Sequence, residues 1–295
     1  MKFGVMTFGY GASLSQREKF DRNGFISVNL GDFVQTIAAR EAFRAFGIPD
    51  AEVIEVDRDA LATYDGEPVR LVMNGCFFDW CFPIAPAITP VFIGFQARRE
   101  VIRKHLAELK RHEPIGCRDD ATAAALTRLG VKAFVSGCLT LTLAPREQTP
   151  TEPRTFVVYG DGAGAFPNEV LGLMPPEMLA SVEFVHQRKL IHAFPLSALD
   201  RRHAEDHARH LLADYRRRAT RVVTSLHHAA APCAAMGAPV IICRSSDNSR
   251  FSTLRQLMPY FVAGDFAGID WDCAPIDLTG HRTKALNMLS KALLL

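Results

Sequence analysis

The chain has almost no net charge. Its 34 Lys and Arg face 32 Asp and Glu, leaving +2 with neutral histidines. A dedicated nucleic-acid binder carries a basic excess to meet phosphates, so that class is disfavoured. Paired cysteine motifs are missing too. Cys76, Cys81, Cys117, Cys138, Cys233, Cys243 and Cys273 form no CxxC spacing, and an odd count does not suit a closed disulfide framework. Most lie in apolar stretches, where a free thiol behaves as a small hydrophobe, which points to a reducing, cytoplasmic compartment. The start, MKFGVMTFGYGAS, lacks the apolar run of a signal peptide and reads as a first strand and loop. No clean membrane span appears. Met73–Phe95 is interrupted by Asp79, Pro83, Pro86 and Pro90, and Leu226–Cys243 contains the turn Gly237-Ala238-Pro239. Both read as buried core. There is no DxD-type diacid, no GxSxG elbow and no nucleophilic cysteine signature, so metal-dependent phosphoryl transfer and serine hydrolysis lack support. No cofactor and no metal-ligand set is assigned.

What is present is an ordinary globular composition, 48% hydrophobic and 22% charged, with length for one large domain or two. Lys2–Phe8, Glu52–Val56, Val69–Met73, Pro90–Gly94 and Lys132–Ser136 read as strands. Helices are expected over Asp32–Phe46, with Val34, Ile37, Ala38, Ala42 and Ala45 on one side, over Arg98–His112, and from Asp119-Asp120 to Leu129. The Pro- and Thr-rich run APREQTPTEPR at 144–154 has no apolar periodicity and reads as a linker. The pattern then restarts. Strands are expected at Thr155–Tyr159, Val182–Val185, Arg221–Val223 and Pro239–Cys243. Helices are expected near Glu177–Ala180, Arg202–Arg218, His228–Met236 and Thr283–Leu294. This alternation predicts an α/β fold of two Rossmann-like domains facing a cleft, over 1–146 and 155–278, with a C-terminal helix at 279–295.

Five motifs stand out, three of them at or after expected strand ends. In Asn29–Gln35, Gly31 and Asp32 open a helix whose free N–H groups suit an anion or sugar hydroxyls; the plain alternative is an N-cap by Asp32. In Gly116–Asp120, the Arg118 fork and a helix N-terminus suit a phosphate or carboxylate; the alternative is a salt bridge to Asp119 or a neighbour. In Thr224-Ser225-Leu226-His227-His228, one histidine at a strand-to-helix turn suits a general acid or anion clamp, and His227 is favoured; the alternative is a structural cap. Tyr159–Gly164 is glycine-rich but is neither a Walker A loop nor GxGxxG, and reads equally as a cleft loop or a simple turn. His203, His207 and His210 share one helical stripe, but a solvated basic helix explains them better than a metal site.

Taken in order, these motifs resemble the polysaccharide pyruvyl transferase family over roughly residues 27–265. The segments that carry the resemblance are PIGCRDDATAAALTRLGVKAFVSGCLTLTL at 114–143, ATRVVTSLHHAAAPCAAMGAPVII at 219–242 and NLGDFVQTIAAREAF at 29–43, with NGCFFDW and FIGFQ between them. The resemblance implies a fold like that of the GT-B glycosyltransferases, phosphoenolpyruvate as donor, a sugar as acceptor and a pyruvate ketal as product. It places a donor-binding arginine on Arg118. It also implies an Arg-Leu-His segment after a C-terminal strand. One register puts its Leu-His on Leu226-His227 and its Arg on Ser225; the other puts the three on Leu226, His227 and His228. The arginine is absent in both, and Arg221, Arg244 and Arg250 are the nearby candidates to replace it. The candidate set is therefore His227 and His228 as catalytic groups, with Arg118, Leu226, Ser225, Asp32, Gly31, Arg244 and Arg250 binding substrate. Expected partners are phosphoenolpyruvate and a saccharide, with a lipid-linked acceptor bringing the protein to the inner membrane face. Homo-oligomerisation stays open. The competing readings are a nucleotide-sugar glycosyltransferase, for which Asp247 or Asp265 could meet the donor ribose, and a non-catalytic relative.

Overall fold

A computed structural model describes residues 2–294. The first half contains β1 (Lys2–Thr7), α1 (Leu14–Asn23), β2 (Ile26–Asn29), α2 (Leu30–Ala45), β3 (Val53–Asp57), β4 (Val69–Phe77), β5 (Ile88–Ala97), α3 (Arg99–Lys104), α4 (Leu106–Arg111), β6 (Ile115–Cys117), α5 (Asp120–Arg128) and β7 (Ala133–Val135). The second contains β8 (Thr155–Tyr159), α6 (Pro176–Leu179), β9 (Val182–His186), β10 (Arg188–Ile191), α7 (Ala198–Arg218), β11 (Arg221–Thr224), α8 (His227–Ala235), β12 (Val240–Arg244), α9 (Ser252–Leu257), β13 (Tyr260–Val262) and α10 (Thr279–Leu293). The order β3-β1-β4-β5-β6-β7 makes a parallel six-stranded sheet, and β13-β12-β11-β8-β9 a parallel five-stranded one. Near-continuous apolar strands such as Val240–Cys243 are buried on both faces, as a parallel sheet covered by helices requires.

Helix α2 lies between the two halves. It packs on β1 and β4 and also on α7 and α8. This explains why nearly every residue from Leu30 to Phe43 is buried, where the sequence pattern predicts a one-sided stripe; Ala45, placed on that stripe, is exposed at the helix end. One apolar cluster consequently runs from Phe8, Phe33 and Val72 through α2 to Phe156, Val222 and Ile242. Helix α10 returns to the first half, where the Arg70 guanidinium donates to the Leu293 carbonyl at 2.6 Å. Both apolar stretches tested as membrane spans contribute to the core: the first forms the end of β4 and most of β5, the second α8 and nearly all of β12. No helix among the described residues is long and apolar enough to cross a membrane.

Two expectations change. The single helix over Arg98–His112 is two short ones, broken where His105 leaves helical geometry. Its ring stacks on Phe82 at 4.7 Å and reaches Asp79 at 2.8 Å, so tertiary contacts override local propensity. The sheets are also not the only β-structure. β2 pairs antiparallel with β10, from Asn29 opposite Arg188 to Ile26 opposite Ile191, and joins the halves directly.

Candidate functional site

A cavity of about 270 Å³ opens where β4, β8, β11 and β12 end and α2 begins. Carboxyl ends of parallel strands, with nearby helix N-termini, are where α/β folds gather ligand-binding groups. Asn29 and Asp32 come from the α2 start, Cys76 from the end of β4, Gly160–Gly164 from the loop after β8, and Gln187-Arg188 from the β9–β10 junction. Ser225–His228 follow β11, while Arg244, Asn248, Arg250 and Phe251 close the remaining side.

The α2 start differs from its expected form. The cap is Asn29, whose Oδ1 accepts from Gly31 N at 3.0 Å; Asp32 sits inside the first turn and accepts from the Tyr10 hydroxyl at 2.7 Å. Asp32 is therefore a wall group rather than a cap. Gly31 does not line the cavity. A Cβ built there would lie 2.8 Å from His228 Cβ, so this glycine lets α2 approach the histidine.

Arg118 is 1% exposed. The expected alternative of an ion pair with Asp119 is not formed, because Asp119 caps α5 through the Thr122 N–H and hydroxyl, both at 2.8 Å. Arg118 Nη1 instead approaches Cys76 Sγ at 3.4 Å, and its Nε and Nη2 have no partner. It stands one layer behind the cavity wall, with Cys76 in front. Arg250 Nη2 reaches the same sulfur at 2.8 Å from the open side. Arg244 donates to the Ser225 carbonyl at 2.5 Å and the Ala163 carbonyl at 3.0 Å, and stacks on Phe251. Among the described residues no carboxylate pairs with Arg118, Arg244 or Arg250. Buried guanidinium groups without a counter-ion are costly unless an anion completes them.

The β11–α8 turn places both histidines on the cavity. Pro232 lies four residues after His228 and has no N–H for the His228 carbonyl; Gln187 Nε2 donates to that carbonyl at 2.8 Å instead. Burial, then the neighbouring His228 and the charges of Arg118 and Arg250, hold His227 well below its ordinary pKa. Burial and the same two arginines do so for His228. Both rings are therefore neutral near pH 7. Cys138 Sγ lies 3.7 Å from His228 Nε2, and Cys138, His227 and His228 offer ligand atoms all within 4.8 Å of one another. That grouping has the spacing of a metal-binding triad and was not foreseen, but the charges of Arg118 and Arg250, which add to burial in keeping the rings neutral, also oppose a cation there.

These neutral rings contribute to the acid sensitivity of the fold. The folded pKa of each lies below its unfolded value near 6.5, so below pH 6.5 the unfolded chain binds more protons than the native one. Stability is expected to fall by about 1.4 kcal/mol per pH unit for each such ring as pH drops below that point. Denaturant titrations from pH 7.5 to 5.0 check this; His228→Gln is expected to flatten the slope.

The other candidates separate clearly. Ser225 donates to the Gly164 carbonyl at 2.5 Å, and Leu226 packs over Gly160 and Gly164, which form an ordered tight turn. Arg221 sits at the far end of β11, 3.7 Å from Asp272, and does not reach the cavity. Asp247 is tied to Arg255 and the Tyr260 hydroxyl, and neither it nor Asp265 lines the cavity. His203, His207 and His210 are exposed on α7. Sequence reasoning missed Cys76, Gln187 and Arg188. Cys76 looked like part of an apolar run, and the other two belong to the unforeseen β9–β10 junction.

No curated protein matches the chain. Among solved structures, a functionally uncharacterized Klebsiella pneumoniae protein is 11% identical, with 80% of this chain and 89% of that one covered at a TM-score of 0.46. The E. coli ADP-heptose lipopolysaccharide heptosyltransferase II is 13% identical, with coverage of 100% and 99% and a TM-score of 0.28. The family model for polysaccharide pyruvyl transferase matches residues 29–248, from the cavity edge of α2 to the Asn248 wall. The chain belongs to the polysaccharide pyruvyl transferase family.

Proposed function

We propose that the protein transfers pyruvate from phosphoenolpyruvate to two hydroxyls of a sugar, forming a ketal and releasing phosphate. The observation that carries this reading is the convergence of Arg118, Arg244 and Arg250, none paired with a carboxylate, around a cavity sized for a small anion. Phosphoenolpyruvate offers both a phosphate and a carboxylate to such a set. The family arginine expected at Ser225 or Leu226 is absent, but Arg244 brings a guanidinium to the Ser225 carbonyl and so supplies a cation beside that turn.

In this reading the donor's negative charge offsets Arg118 and Arg250, restoring proton affinity to His227 or His228. The protonated ring gives its proton to the donor methylene carbon while a sugar oxygen attacks C2. That hydroxyl's proton returns to the imidazole. The C2–O bond to phosphate then breaks, the second hydroxyl closes the ketal, and its proton leaves with phosphate. Residues 1–146, the acceptor side, also lend Arg118 to the donor; residues 155–278, the donor side, supply Arg244, Arg250 and both histidines, and the C-terminal helix spans Thr279–Leu293. The enzyme works in the cytoplasm, at the inner membrane face where its acceptor is lipid-linked.

Phosphoenolpyruvate is expected to raise the melting temperature, whereas a nucleoside diphosphate is not. A glycan panel should then reveal acceptor-dependent phosphate release. Stabilisation by the nucleotide alone would overturn the assignment.

A further inference from the structure

Cys76 stands apart from the other six thiols. Burial pushes Cys81 and Cys243 up to about 12 and raises Cys117, Cys138, Cys233 and Cys273 as well. Burial also works against ionisation of Cys76, and Asp32 adds to that, but Arg118 and Arg250 outweigh both and hold this thiol below its ordinary range. The geometry agrees. The sulfur lines the cavity, with Arg250 Nη2 at 2.8 Å and Arg118 Nη1 at 3.4 Å, and among the described residues no carboxylate pairs with either guanidinium. Two further nitrogens of the buried Arg118, one layer behind that wall, and Nε of the buried Arg244 within it have no partner among the described residues, which leaves unused donor capacity beside the cavity.

We propose that Cys76 is a reactive thiolate built into the cavity wall, serving as counter-ion to Arg118 and Arg250 while the site is empty and taking up a proton when an anionic ligand claims those arginines. An empty site is then sensitive to electrophiles, and an occupied one is shielded both by bulk and by loss of the thiolate. The thiolate itself does not depend on which anion binds. Its control by phosphoenolpyruvate rests on the function proposed above.

The test is alkylation of the native protein by iodoacetamide, in which the sulfur–carbon bond forms and iodide leaves. Peptide mass mapping follows each cysteine from pH 5.5 to 9.5, with half-buried Cys273 as internal reference. At pH 7 Cys76 is expected to react at least ~10-fold faster than Cys273, with a midpoint below the free-thiol value of about 8.5. Arg250 is exposed, so Arg250→Gln should leave the fold intact while moving the midpoint upward and removing most of the rate advantage. Cys76→Ser confirms the assignment by loss of the labelled peptide. A midpoint at or above the free-thiol value, or one unmoved by Arg250→Gln, overturns the thiolate. Saturating inorganic phosphate is expected to slow labelling and raise the midpoint; if it and phosphoenolpyruvate both do nothing, the control by anions is overturned. Slowing by phosphate but not by phosphoenolpyruvate supports Cys76 and overturns the donor assignment instead.

Discussion

Arg118→Ala is expected to lower phosphoenolpyruvate-dependent phosphate release by about 10²–10³-fold, the usual cost of removing one preorganised charged donor from a low-dielectric site. The reason is positional. Arg118 lies 99% out of solvent, fixed by the chain turn between β6 and α5, and its backbone carbonyl accepts from Thr253 at 3.1 Å. Its charge therefore acts without water to screen it. The substitution also removes a counter-ion from Cys76, so the alkylation midpoint of that thiol should rise in the same variant. Arg118→Lys separates charge from shape: a lysine retains the charge but loses the planar fork, and should recover only part of the rate. Steady-state kinetics with a fixed acceptor would measure both. Full activity in Arg118→Ala would remove the arginine from the binding site, whatever the reaction.

Phe33→Ala is expected to destabilise the whole chain by about 3–5 kcal/mol. Phe33 is fully buried on α2 and meets Phe8 edge-on at 6.0 Å. It belongs to the apolar cluster that extends from β1 to β12, so the cavity left by the ring is shared by both halves. Calorimetry should show one unfolding transition moving down as a unit. Two transitions, with only the first displaced, would mean that the halves unfold independently and that the common core contributes little.

How much of this was legible in the sequence follows from the range of the forces involved. Strands show in the largely apolar Val69–Met73 and the apolar run Pro239–Cys243, which lie within or overlap β4 and β12, and the β11–α8 turn shows through its position. Arg118 stands out through its place between a strand end and a capping aspartate, but a local ion pair with Asp119 competes with a binding role until the structure shows Asp119 capping α5. The partners were not legible. Nothing near Cys76 in the chain reveals that Arg118 and Arg250 will converge on it, from 42 and 174 residues away. Pro232 does show locally that the His228 carbonyl needs a donor, but not that Gln187 will supply it. The sequence reading assigns the α2 cap to Asp32 and passes over Asn29, an equally good capping type. Only the backbone conformation of Asn29 selects between them.

The short pairing of β2 with β10 has a consequence for how a ligand is received. Asn29, at the end of one strand, opens the wall containing Asp32; Arg188, opposite it, continues the wall begun by Gln187. The two walls are thus stitched together at the edge of the cavity. Their spacing is held by the chain's own strand pairing. On the proposed function, a small anion would meet walls whose spacing is already held, and little of its binding energy would be spent on drawing them together.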